Sequence, residues 1–187
     1  MAAEHNEASE RSEPWLRGPL EDVHPLLAPT LHSFTQARED IVHWTAGLAD
    51  AEIWSRPQGI APIGFHLRHI AGSVNRLTAY LLGEKLSAEA LEAISHEMDP
   101  EPGRPSSLRE LLAEVNVALH NSELVIRRLA PSMLGEPRAV GRMKLPTTVI
   151  GLVVHLAEHT QRHVGELIVT VKLSHRVVTG RTSPMPS

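Results

Sequence analysis

Four long segments of the chain carry apolar residues at spacings of three and four, and this periodicity limits the fold more than any other feature. Each segment covers about 20 to 28 residues, enough for a helix that buries one apolar face. The segments span residues 25–48, 62–82, 107–131 and 148–174. In the second segment the stripe consists of Ile63, Leu67, Ile70, Val74, Leu77 and Leu81. Four amphipathic helices that share one core predict an all-α four-helix bundle.

Stretches rich in proline and glycine separate these segments. The connections after helices two and three are long enough to carry crossovers, and a short helix is predicted at 87–98 in the first of them. No stretch alternates regularly enough to predict a strand. Ser107 and Glu110 fit a capping box at the start of the third helix, and Gly83 predicts the end of the second.

The remaining sequence predicts one domain with two tails. Residues 1–20 are predicted to be a flexible N-terminal tail, 21–176 the helical domain, and 177–187 a flexible C-terminal tail. A net charge of −4 with interspersed signs argues against nucleic acid as a ligand. The chain shows no secretory leader and no segment of about 20 apolar residues, so we expect a cytoplasmic protein without a membrane span.

Three histidines follow one another at four-residue spacing in HLAEHTQRHVGEL, on the fourth predicted helix. This spacing places one histidine on each of three successive helical turns, which is uncommon by chance even for a chain with twelve histidines. His159 and His163 are predicted to point towards the core, and His155 towards its rim. The inner apolar line of the same helix is Val149, Val153, Leu156, Val164, Leu167 and Val171.

The second helix offers further imidazoles, because His66 and His69 lie on a polar strip beside its apolar stripe. Two histidines from one helix and one from another form a three-nitrogen site that suits zinc, nickel, copper or ferrous iron. The chain has no cysteine, so any metal must be held by nitrogen and oxygen. Spacing alone leaves an alternative open, in which these are packing histidines bonded to carbonyls or carboxylates.

The segments HLRHIAGS and HLAEHTQRHVGEL together resemble the DinB/YfiT-like superfamily, over roughly residues 25–175. That family folds as a four-helix bundle and holds a divalent metal with one histidine of the second helix and an H-x-x-x-H pair of the fourth. The resemblance implies His69, His159 and His163 as the ligands. Many relatives continue H-x-x-x-H-R-G-Q, whereas Glu166 stands here in place of the glutamine, which changes the expected charge of the pocket.

The resemblance also implies chemistry. Related transferases and isomerases use low-molecular-weight thiols such as bacillithiol or mycothiol, which the metal activates. It therefore implies a divalent ion, zinc or nickel before iron or manganese, a small-molecule substrate and a homodimer. Thiol-dependent transfer or isomerisation, or hydrolysis by water, is the expected reaction. Candidates for orienting a ligand, lining the pocket or carrying a proton are His66, Ser73, Tyr80, His155 and Glu166.

Parts of the sequence are also compatible with two other functions. His155 to His159 spells H-x-x-E-H, a protease motif, but Glu158 is predicted to face away from the histidines, and Glu166 is the one glutamate left downstream as a third ligand. The second is a non-catalytic bundle that binds a small ligand or a metal without turnover. Of the two arginines beside the polar strip, Arg68 is expected in surface ion pairs, and Arg76 is a candidate contact for an anionic substrate.

Overall fold

The computed structural model describes residues 12–99 and 106–178, and this part of the chain is mainly helical. Each predicted long helix is present, with ends that differ from the prediction by a few residues, as is usual for helix termini. The four are α1 (Ala28–Thr45), α2 (Ile63–Leu81), α3 (Leu108–Arg127) and α4 (Val149–Val178). The all-α class is therefore confirmed.

The apolar faces of these helices meet in one core. Every residue of the predicted α2 stripe is buried, and so is every residue of the predicted inner line of α4. Helix α2 packs against both α3 and α4, while α1 packs mainly against α4. The α2–α4 contact is the one that brings the histidine-bearing faces together.

Polar bonds fix how α1 lies along α4. The buried Thr30 hydroxyl donates to the Val153 carbonyl at 3.1 Å. One turn further along α1, the Gln161 amide donates to the Ser33 carbonyl at 2.8 Å. These bonds hold the rotation of α4 about its axis, and with it the direction in which its histidines point.

The predicted helix signals are confirmed. Glu110 accepts from the Ser107 amide at 3.0 Å, and the Ser107 hydroxyl accepts in return from the Glu110 amide at 3.3 Å. Helix α2 ends before Gly83, whose φ of +78° is the left-handed conformation that favours glycine. The predicted short helix is present as a helical turn, Ala88–Glu92, followed by a 3₁₀ turn, Ala93–His96.

The expectation of no strands is wrong in the connection before α4. Strand β1 (Pro137–Val140) pairs antiparallel with β2 (Leu145–Thr148) in a two-stranded hairpin. Each strand has four residues, too few for alternation to be visible, and each contains a proline, which normally argues against a strand. The tight loop depends on positive φ angles at Gly141 (73°) and Lys144 (50°).

The predicted tails lie partly outside the described residues, and the division into tails and domain stays a prediction. In the described part, Pro14–Leu16 form a 3₁₀ turn with Pro14 buried. Arg17 forms a two-point ion pair with Glu39 of α1, at 2.5 and 2.7 Å. Of the helices in 12–99 and 106–178, none has both the length and the apolarity to cross a membrane.

Candidate metal centre

Four imidazoles meet between α2 and α4, where the site is predicted, and a fifth lies at the rim of the group. His66 and His69 come from one face of α2, three residues apart. His155, His159 and His163 come from successive turns of α4. On a helix, residues three or four apart lie on the same face, so two packed helices suffice to gather them.

The histidines predicted as ligands form one group of converging donor nitrogens. His69 Nε2 lies 3.0 Å from His159 Nε2. One donor nitrogen from each of His69, His159 and His163 lies within 4.8 Å of the others. Two nitrogens bound to one zinc ion at 2.0–2.1 Å lie about 3.4 Å apart in tetrahedral geometry. The group, called the triad below, could therefore hold one divalent ion.

A carboxylate that the sequence analysis missed orients one triad histidine. Glu97, buried between α2 and the short helix, lies with Oε2 2.6 Å from His69 Nδ1. Because a carboxylate only accepts, Nδ1 must donate, and this leaves the lone pair of His69 on Nε2, towards His159. Arg76 donates to Oε1 of the same carboxylate at 2.8 Å. Arg76 thus pairs with Glu97, whereas the sequence suggested an anionic substrate.

Arg68 corrects another expectation. It was predicted in surface ion pairs, but its side chain is buried and donates to the carbonyls of His96 and Asp99 at 2.9 and 2.7 Å. Its guanidinium also lies over the Trp54 ring, 4.8 Å from the centroid. Arg68 therefore fastens the segment that carries Glu97 through two backbone carbonyls of that segment.

Two of the other predicted residues lie beside the triad. The His66 side chain is only 3% exposed, and its Nδ1 lies 3.3 Å from His163 Nδ1. Glu166, 50% exposed, places Oε2 3.2 Å from His163 Nδ1 and 3.5 Å from His66 Nδ1. Both therefore contact the side of His163 that carries Nδ1.

The remaining three candidates lie further out or are engaged elsewhere. The Ser73 hydroxyl donates to the Ile70 carbonyl of its own helix at 3.1 Å. Tyr80 lies eleven residues beyond His69, about 16 Å along the helix, and lines a cavity against the β1–β2 hairpin. His155 is exposed at the rim, with its ring centroid 5.3 Å from that of His159.

Burial favours the neutral form of three of these imidazoles. It lowers the pKa of His66 to about 4, with the positive charge that His163 and His69 can carry adding to the effect. The pKa of His159 is also lowered to about 4, again chiefly by burial. Burial lowers the pKa of His163 in the same direction. Since a metal ligand must be unprotonated, these shifts keep the lone pairs available near neutral pH.

The same shifts predict how stability depends on pH. Between the ordinary pKa of 6.5 and about 4, the unfolded chain binds protons that folded His66 and His159 do not. The contribution of these two histidines to the free energy of unfolding of the metal-free protein should therefore fall as pH drops from 6.5, and level off below about 4. Urea unfolding at several pH values measures this. The His159→Phe variant should show a shallower fall, and an equal one would contradict the assignment.

The helices and the three imidazoles that converge between two of them define a mainly helical protein with a candidate metal centre. A sequence model of the DinB superfamily matches residues 33–167, which include all three triad histidines and most of the chain. The chain therefore belongs to the DinB superfamily. A search of curated proteins finds no match for it.

Glu97 gives a prediction about affinity. We expect Glu97→Gln to weaken metal binding about 10- to 100-fold, because His69 loses its anionic partner. Gly72→Ala should act in the same direction, since a Cβ there would lie 2.7 Å from both Arg76 Nη1 and Glu97 Oε1. Competition with a chromophoric chelator measures the affinity. Glu158→Gln, an exposed carboxylate on α4, is the control, and an equal loss there would contradict a specific role for Glu97.

Proposed function

We propose that this chain is a divalent-metal-dependent enzyme that activates a small thiol or water. His69, His159 and His163 would hold the ion, zinc or nickel before iron or manganese, within the four-helix bundle typical of the superfamily. The observation that carries this proposal is the convergence of the triad nitrogens, with His69 Nδ1 bonded to a buried carboxylate. A packing histidine can also bond to a carboxylate, but His69 in addition directs its other nitrogen at His159, as a metal ligand oriented by a carboxylate does.

The donor set fits such an ion. Neutral imidazoles suit zinc and nickel, and three protein ligands leave coordination positions for water or substrate. His159 Nδ1 is buried without a hydrogen-bond partner in the described part of the chain. The other ring nitrogen, Nε2, is the one that faces His69.

The side chains around the proposed metal site determine the environment in which a substrate would react. A bound divalent ion supplies Lewis acidity that lowers the pKa of a thiol or of water. The chain has no cysteine, so a thiol would have to arrive as a cosubstrate. Phe65 stacks on His69 with the ring centroids 5.3 Å apart, which places an apolar surface on that ligand. Glu166 is half-exposed beside His163, so solvent and a small ligand can both reach its carboxylate.

The test is elemental analysis of tag-free protein after dialysis that removes weakly held ions. We expect about one metal per chain in the wild type and none in His69→Ala. His120→Ala, an exposed histidine on α3, is the matched control and should retain the metal. If the wild type holds no metal after loading with zinc, nickel or manganese, the proposal fails, and a bundle that binds small ligands takes its place.

Turnover needs a second measurement. The metal-loaded protein should transfer low-molecular-weight thiols to an electrophile, or hydrolyse an activated ester, and His159→Ala should not. Metal binding without either activity would indicate a non-catalytic metal-binding protein. The homodimer and the cytoplasmic location stay proposals, and sedimentation equilibrium measures the first of them.

A further inference from the structure

A second group of metal-ligand atoms lies beside the triad. It consists of His66 Nδ1, His163 Nδ1 and Glu166 Oε2. The two nitrogens are 3.3 Å apart, and the carboxylate oxygen lies 3.2 Å from His163 Nδ1 and 3.5 Å from His66 Nδ1. All three separations are close to the roughly 3.4 Å expected for ligands that share one tetrahedral ion.

We propose that His66, His163 and Glu166 form a second divalent-cation position, adjacent to the triad and weaker than it. Two imidazole nitrogens and a carboxylate oxygen are an ordinary ligand set for zinc. The position shares His163 with the proposed triad, but its geometry does not depend on an ion being bound there.

The packing of α2 and α4 holds this group in place. His66 is buried, and its ring lies edge-on to Phe65 with the centroids 5.1 Å apart. His163 and Glu166 are three residues apart on α4, so both project from the same face of that helix. Only the Glu166 carboxylate is half-exposed, which makes it the ligand that can close over an arriving ion.

The second position has an entrance of its own. His66 and Glu166 line a cavity of about 510 Å³ whose other walls include Ile60, Ala61 and Val169. A packing contact between two histidines and a carboxylate has no need of such a space. Here it gives an ion, and the water or small ligand that completes its coordination, a route from solvent.

The shared histidine makes the second position weaker. A neutral imidazole has one lone pair, so His163 can bind two ions at once only as an imidazolate, through both ring nitrogens. Binding of the second ion then releases the ring proton of His163 to solvent. In a variant whose triad binds no ion, His163 can take the tautomer with its lone pair on Nδ1. The second position then binds an ion without release of the ring proton.

Zinc titration with equilibrium dialysis and elemental analysis tests the proposal. We expect two zinc ions per chain in the wild type at excess zinc, one tight and one weak. Glu166→Gln should keep the tight ion and lose the weak one. Glu158→Gln, on the same helix and 45% exposed, is the matched control and should bind both. A wild type that saturates at one ion which Glu166→Gln retains, or a Glu166→Gln variant that still binds two, overturns the second position.

Variants without the triad separate this proposal from the proposed function. The double variant His69→Ala with His159→Ala should lose the tight ion and keep one weak ion, which a further Glu166→Gln removes. If the wild type binds one ion that this double substitution leaves intact and Glu166→Gln abolishes, the second position stands and the triad fails. Circular dichroism of each variant checks that helix content is unchanged.

Discussion

Zinc is expected to raise the free energy of unfolding of this chain by about 4 kcal/mol when free zinc is one thousand times the dissociation constant of the tight site. The stabilisation arises because the folded chain gathers His69, His159 and His163 between α2 and α4, whereas the unfolded chain has no preformed site. His159→Ala removes one of three nitrogens and should abolish nearly all of the effect.

Urea unfolding with buffered free zinc, held below the range of the weaker second position, measures this difference. His120→Ala should gain as much stability from zinc as the wild type, because that side chain is exposed on α3. An equal zinc effect in the wild type and in His159→Ala would mean that the stabilising ion binds elsewhere, and the triad would then be wrong.

The long helices and their buried faces could be predicted because burial imposes a local period on the sequence. Ile63, Ile70 and Leu81 of α2 are each spaced to face the same side, and each is fully buried. His159 and His163 follow the same rule, since they lie one turn apart on the inner side of α4, whereas the family resemblance indicated His69 as their partner. The inward direction of a side chain could therefore be predicted from the sequence wherever the helix repeat alone determines it.

Glu97 could not be found in this way, because its contact with His69 joins positions 28 residues apart through tertiary packing. The Glu97 carboxylate can come this close to α2 only because position 72 is a glycine, where any side chain would collide with that carboxylate. A glutamate just after a short helix and a glycine in a long one carry no joint signal in one sequence. Only the packed structure shows that they belong to one site.

The polar candidates on α2 show a second limit of helix geometry. The predicted angle gave Ser73 the correct strip of the helix, but its hydroxyl bonds to the Ile70 carbonyl of the preceding turn. Arg68 was expected at the surface, yet the segment at 96–99 folds over it. Periodicity gives the direction of a side chain, whereas its partner depends on which connection covers that face.

Replacing Phe34 with alanine is expected to lower the free energy of unfolding by about 3–5 kcal/mol. Phe34 lies in the middle of α1 and has 0% exposed surface, so the substitution leaves a cavity in the core that all four helices share. A domain of this size typically has about 5–15 kcal/mol of stability, so the loss is a large fraction of it.

The matched control lies on the same helix. Val42→Ala shortens a side chain that is 56% exposed, and it should change stability by less than about 0.5 kcal/mol. Urea unfolding followed by circular dichroism measures both variants. A Phe34→Ala loss below about 1 kcal/mol would mean that α1 is not packed tightly into the core. Since Thr30 and Ser33 of α1 bond to α4, a loosened α1 would also release the rotation that directs the triad histidines.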